Sequence, residues 1–293
     1  MNCDEFINLN KILTEEVGNK GHSFSMVINN HKSDISKCKR TLYNYVEKGY
    51  IDINNIDLPR KVRYKKRTKK QEVNIRNTKI REGRTYKDFL KYKEDFFVKN
   101  GFDANIVQMD TVVGPYKSNE SCILTLLFTT SNFLMVFKLE SKTMEAVNNM
   151  FDYLKDTLGL ELFSNLFQVI LTDNGSEFFD PDYIEYNGLY EKSRIFYCDP
   201  RQSQQKGKIE VAHEYIRRYI PKGTSFNPYS QEQLTLMCNH INSVPRDKFK
   251  GLSAFKVQQV IVPDEFFKKL NYKEIYKLDV NLKANLLRKD TTK

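Results

Sequence analysis

Between residues 106 and 139 three short apolar runs follow one another closely: IVQMDTVVG, CILTLLFTT and FLMVFKL. Runs this short and this rich in Val, Ile, Leu and Phe read as strands, and Ser131 with Asn132 suits a tight hairpin turn between the last two. Three consecutive antiparallel strands are therefore predicted. Residues 143–158 then place Met144, Val147, Met150, Phe151, Leu154 and Leu158 along one helical face, opposite Glu145, Asn148, Asn149, Asp152 and Lys155. That pattern predicts a helix packed on a core. Residues 167–172 (FQVILT) and 194–197 (RIFY) are further buried strands, each preceded by helical or irregular sequence, which predicts that they run parallel to the first.

The order is three strands, helix, strand, helix or loop, strand, long helix. It is compatible with a ribonuclease-H-like sheet, and other α/β folds share it. No window approaches the roughly 18 consecutive apolar residues needed to cross a bilayer, and the opening MNCDEF is acidic and polar, unlike a signal peptide. A soluble, cytoplasmic protein without a membrane partner is expected. The five cysteines lie far apart without CxxC or Cys/His pairing, so the sequence writes neither a zinc site nor a disulfide framework.

Charge divides the chain. Residues 1–100 hold 23 Lys+Arg against 13 Asp+Glu, a net of +10, whereas the remainder holds 24 of each. Confinement of the excess to one segment implies a basic arm on an electrically balanced body. Within the arm, residues 33–51 have apolar or aromatic side chains at mostly helical spacing, and Gly49 is a plausible stop. Lys37, Lys39 and Arg40 crowd its early turns, where a recognition helix would face phosphates and base edges, although a solvated amphipathic helix has the same pattern. The run LPRKVRYKKRTKK follows, with Arg60, Lys61, Arg63, Lys65, Lys66, Arg67, Lys69 and Lys70. Eight cations in eleven residues repel one another and cannot form a core, so an extended strap for a polyanion, or a solvated linker, is predicted. The expected organisation is a helical DNA-binding region over 1–57, a basic linker over 58–99 in which TYKDFLKYKEDFF could form a short helix leading into the body, the α/β body over 100–262 and a tail over 263–293.

Three acids stand in unusual places. Asp110 interrupts the first apolar strand, Asp173 directly follows FQVILT, and Glu210 lies on the helix after Pro200. Neighbouring carboxylates repel unless a cation holds them, which makes a divalent-metal site the natural reason to assemble them. In QKGKIEVAHEYIRRYI, Ile209, Ala212, Ile216 and Tyr219 form the packing stripe, and Glu210, His213, Glu214 and Arg217 share the adjacent face. In LTDNGSEF a strand ends in Asp and turns at Asn174 and Gly175, projecting a carboxylate from the strand's carboxyl end, where α/β proteins place ligands. Gly175 would let the chain reverse without a side-chain clash. Lys206 and Lys208, with Arg217 and Arg218, flank Glu210 and could meet phosphate or solvent. Tyr197 and Tyr219 read as packing residues.

MDTVVG at 109–114, LTDNGSEF and the long run YCDPRQSQQKGKIEVAHEYIRRYIPKGTSF together resemble the integrase-like transposases, specifically the IS-thirty family of bacterial insertion sequences. Weaker similarity extends over residues 33–257. The resemblance implies a ribonuclease-H-like integrase core preceded by a helix-turn-helix-like DNA-binding region. It implies a catalytic and metal-binding triad of Asp110, Asp173 and Glu210, with 62 and 36 residues between them. It also implies two Mg2+ or Mn2+ ions per site, with Asp110 bridging them, and cutting and joining of double-stranded DNA at element ends and target. A homo-oligomer on DNA in the bacterial cytoplasm, at the nucleoid, is expected with it. Asn174, Gly175 and His213 would support the site. The sequence departs from the family in having His213 where Asn is usual, Ala254 for a customary proline, and no tryptophan. Two other readings share parts of this pattern: a DNA-binding regulator or decayed transposase that no longer cuts, and a ribonuclease H acting on RNA/DNA hybrids.

Overall fold

A computed structural model of the chain describes residues 3–59, 79–115, 120–187, 190–191 and 193–288. Its centre is a five-stranded sheet of β1 (Ile106–Val112), β2 (Cys122–Phe128), β3 (Leu134–Leu139), β4 (Val169–Thr172) and β5 (Arg194–Tyr197), ordered β3-β2-β1-β4-β5. The first three strands are antiparallel neighbours, while β4 lies parallel to β1 and β5 parallel to β4. Both predictions hold. This is the ribonuclease-H-like order and direction, which among the α/β alternatives the sequence left open is the one adopted. The β2–β3 connection turns at Asn132 in the left-handed region (φ 58°), and the buried Ser131 hydroxyl donates to Gln258 at 2.5 Å.

Both faces of the sheet are covered, as a sheet with parallel strands at its middle requires. Helix Met144–Leu158 begins at the Thr143 cap and buries Val147, Phe151, Leu154 and Leu158 in the main core with Ile170, Ile195 and Tyr197. Helix Tyr86–Asn100, started by a capping box between Thr85 and Asp88, covers the other face. There Phe89 and Tyr92 meet Val169, Leu171 and Phe196.

The two edges are closed by different means, which matters because an open edge invites pairing with another chain. On β3 the amide of Asn242 both accepts from Leu134 N and donates to Leu134 O, each at 2.8 Å. Gln231 does the same between Lys138 N and Val136 O, and the Tyr272 hydroxyl accepts from Val136 N. On β5 the backbone of residues 84–85 pairs with Tyr197. Arg84 is held there by Glu185 at 2.7 Å and Asp182 at 2.8 Å.

Two expected boundaries move in consequence. The stretch from 79 to 99, expected as linker with a short helix, supplies a sheet edge and a covering helix; its Tyr86, Phe89, Tyr92 and Phe96 recur at helical spacing and pack on the sheet. The stretch after 262, expected as a tail, contributes Phe266, Phe267, Leu270, Tyr272, Val280, Leu282 and Leu287 to the main core. Residues 3–58 form helices Cys3–Leu13, Phe24–Asn30 and Lys39–Glu47 around an apolar cluster of their own, including Leu13, Val17, Phe24, Leu42 and Ile53. The last helix stops at Gly49 as predicted (φ 66°), but it starts only after Cys38, which is extended and serves as its N-cap.

Candidate active site

The first two acids are placed by strand register. Gln108 pairs in parallel with Leu171, so two residues further along each strand Asp110 and Asp173 emerge side by side at the carboxyl ends of β1 and β4. Each carboxylate is oriented by its own backbone: Asp110 Oδ1 accepts from Thr111 N at 2.8 Å, and Asp173 Oδ1 from Gly175 N at 2.9 Å. Both remaining oxygens face one ammonium. Lys206 Nζ lies 3.2 Å from Asp110 Oδ2 and 3.6 Å from Asp173 Oδ2, and donates to the Met109 carbonyl at 3.3 Å. Burial pushes the Asp110 carboxyl above the ordinary range, and Asp173 adds to this against the opposing pull of Lys206. One cation for two carboxylates leaves the pair with an unbalanced negative charge.

Lys206 was expected to meet phosphate; its side chain is 7% exposed and occupied by the acid pair instead. It immediately precedes the helix Gly207–Tyr219, which buries the predicted stripe Ile209, Ala212, Ile216 and Tyr219. The start of this helix is tied to β1 by Gln108, whose Oε1 accepts from Ile209 N at 2.9 Å and whose Nε2 donates to the Gln205 carbonyl at 3.4 Å. Glu210 is exposed in the first turn and stands four residues from Lys206 and three from His213, on their side of the helix. Lys206 reaches Asp110, and His213 reaches Thr125, the residue paired with Asp110 across β1 and β2. The turn that carries Glu210 is thus held against β1 and β2, but among the described residues no three His, Cys, Asp or Glu side chains lie close enough to share one metal ion.

The turn after β4 is built by its supporting residues. Asn174 donates to the Cys198 carbonyl at 2.9 Å, fastening the turn to the end of β5. Gly175 has an ordinary φ of −66°, so chain reversal does not demand glycine; room does. A Cβ at this position would lie 2.5 Å from Glu177 Oε2. Glu177 is buried, accepts from Thr111 Oγ1 at 2.6 Å and meets Lys142 at 3.1 Å, linking the β4 turn to the strand of Asp110. Glu177, Gln108 and Thr125 escaped the sequence reading. The available signal was a polar residue inside an otherwise apolar run, which Thr125 in CILTLLF and Gln108 in IVQM both show.

No protein-family model matches the chain. In sequence it is 29% identical over 217 residues to the putative integrase ORF3 of Spiroplasma virus SpV1-R8A2 B, covering 74% of this chain and 62% of that protein. It is 29% identical over 216 residues to the probable transposase for insertion-like sequence element IS1161 of Streptococcus salivarius, covering 74% and 57%. It is also 29% identical over 145 residues to the transposase InsI for insertion sequence element IS30C of Escherichia coli, covering 50% and 35%. The chain is a relative of the insertion-sequence transposases. It spans 62% of the first of these proteins and a smaller share of the other two. Among solved structures it is similar to the catalytic core domain of BIV integrase, with 18% identity and a TM-score of 0.40 over 56% of this chain and 98% of that one.

Around the acid pair of this transposase relative, the other expected contact residues are dispersed. Lys208 is exposed and donates to the Thr129 carbonyl at 2.7 Å. Lys39 bonds Ser25 at 2.5 Å and approaches Asp247, Arg40 is exposed, and Lys37 is half-buried. Arg60, Lys61, Arg63, Lys65, Lys66 and Arg67 lie outside the described residues. Tyr197 and Tyr219 are buried and donate to the carbonyls of Phe178 and Asn281. Among the described residues no helix is long and apolar enough to cross a membrane.

Proposed function

We propose that this chain is a DNA transposase of the DDE class, which cuts element ends and joins them to target DNA by metal-dependent phosphoryl transfer. The observation that carries the reading is the convergence of Asp110 and Asp173 on one cation at the carboxyl ends of β1 and β4. Kinship with transposases and an integrase supports it.

The donor set suits Mg2+ or Mn2+. It consists of hard carboxylate oxygens, two of them turned toward a positive charge and the other two tied to backbone N–H groups. Asp110 and Asp173 would hold the ions, and Glu210 would join them from the first turn of its helix. A bound pair of such ions stabilises both the attacking and the leaving oxygen of an in-line displacement. The chain's own share is preorganisation: the backbone N–H contacts fix both aspartates before DNA arrives, and Lys206 offsets their repulsion. The nucleophile is water for cleavage and a DNA 3′-hydroxyl for joining, so no side chain need attack. Basic residues of the arm would neutralise phosphates, giving affinity that falls steeply with salt. Joining two ends calls for two sites, and hence for a multimer of this chain on DNA.

Asp173→Asn tests the reading. It should keep DNA binding and lose Mg2+-dependent nicking by on the order of a thousandfold, and full nicking by this variant would refute the site. A second reading is a DNA-binding regulator or decayed transposase that retains the fold without cutting, which the lack of any three-acid metal group among the described residues favours. A wild-type chain that binds DNA but shows no Mg2+-dependent nicking decides for it.

A further inference from the structure

His213 is the residue by which this chain departs from its transposase resemblance inside the site, and its contacts give it a defined chemical state. Its Nε2 lies 2.9 Å from Thr125 Oγ1, and Thr125 Oγ1 lies 2.9 Å from the main-chain carbonyl of Asp110. A carbonyl oxygen can only accept, so the single hydroxyl proton of Thr125 is committed to Asp110. The histidine must then be the donor at Nε2. Thr125 is fully buried at the centre of β2, opposite Asp110, and a hydroxyl there without both partners would be costly. Burial, with the Lys206 and Arg217 cations beyond it, pushes the His213 imidazole down to about 4, which keeps the ring neutral near pH 7.

The position of this contact along the helix gives it a role. Gln108 pins the Gly207–Tyr219 helix to β1 at Ile209, and His213 pins it to β2 one turn later. Glu210 lies between the two anchors. We propose that His213 is a positioning residue for the acid site: its Nε2–H holds the Glu210 helix at a set distance from the Asp110 strand through Thr125. The inference rests on the function proposed above, because it takes Asp110 and Glu210 as partners in one site. A side chain that ends in an N–H at the same reach can replace the ring; an apolar one cannot.

Two measurements on the full chain test this. 15N NMR of His213 should report a neutral ring protonated at Nε2 near pH 7; a neutral ring protonated at Nδ1, which leaves Nε2 without a proton to donate, overturns the relay. Mn2+ titration should show His213→Gln within about threefold of wild type. His213→Leu and Thr125→Val should each lose about tenfold or more, and the double variant no more than the worse single one, as expected for outer residues that orient ligands and act as one unit. Wild-type Mn2+ affinity in His213→Leu, or equal loss in the Gln and Leu variants, overturns the positioning role. Mn2+ binding by the wild type that ignores Asp173→Asn overturns the site reading and the positioning role with it. The NMR result still decides the hydrogen-bond relay in that case.

Discussion

Two of the carboxylate–cation groups among the described residues are built on opposite principles. At the junction between the N-terminal helices and the C-terminal segment, the Glu16 carboxylate meets His22 Nδ1 at 2.8 Å, Lys20 Nζ at 3.1 Å and Asn30 Nδ2 at 3.4 Å. His22 is fully buried and contacts the Val280 carbonyl at 2.6 Å through its other nitrogen, so both ring nitrogens face acceptors. One acid there has several donors. At the ends of β1 and β4 the ratio is reversed, with two acids sharing one lysine. The ionisation tendencies follow: burial opposes the Glu16 charge, yet the hydrogen bonds from His22 and Lys20 outweigh it and bring the carboxyl down to about 2, whereas Asp110 is pushed up. A satisfied cluster holds segments together; an undersupplied one is set to take a cation.

The sharpest way to break this contrast is to neutralise one acid on each side. Glu16→Gln takes away the carboxylate that buried His22 and Lys20 both contact, and should cost roughly 3–5 kcal/mol in urea unfolding. Asp110→Asn removes a repulsive charge and should cost no stability, while abolishing Mg2+-dependent nicking. A loss of stability in Asp110→Asn comparable to that in Glu16→Gln would erase the distinction.

Next in size is Gly175→Ala. Its methyl group would press within 2.5 Å of a Glu177 carboxylate that Thr111 and Lys142 hold in place, at a cost of about 1–3 kcal/mol. Because this turn carries Asp173, weakened Mn2+ binding should accompany the lower melting temperature.

Acid titration gives opposite signs at the two clusters. The Glu16 contribution is complete above its ordinary value of 4.5 and is lost as pH falls toward about 2. The Asp110 penalty is absent well below 3.8, grows as pH rises from there toward its elevated value and is complete above it. Unfolding curves between pH 2 and 6 should therefore show an acid limb that flattens in Glu16→Gln and persists in Asp110→Asn. The smallest effect is expected for Lys206→Met, about 1 kcal/mol without divalent ions, because relief of the buried ammonium's desolvation offsets most of what the partly exposed aspartates lose with their shared counter-charge. Mg2+ should restore most of it, and a melting temperature indifferent to Mg2+ in this variant would count against a cation site.

Much of the sheet was legible in the sequence because its signals are local. Apolar runs of strand length, a helical stripe at Val147, Phe151, Leu154 and Leu158, and the stripe at Ile209, Ala212, Ile216 and Tyr219 each report one buried face. Asp110 and Asp173 were legible for the same reason, as acids set into or directly after apolar strands. The positions missed were those whose meaning depends on a partner far along the chain. The stretches at 79–99 and after 262 carry their apolar residues among many charges, and only docking on the sheet shows them to be core.

The amino-acid order alone determined the five strands, the helices over 144–158 and 207–219 and which acids would sit at strand ends, since period and apolar content act over a few residues. The tertiary structure decided that Lys206 turns inward to the aspartates, that Gly175 makes room for Glu177, and that His213 meets Thr125. Each of these depends on distances between chain segments tens of residues apart, where the balance of burial against charge pairing is settled only once the segments meet.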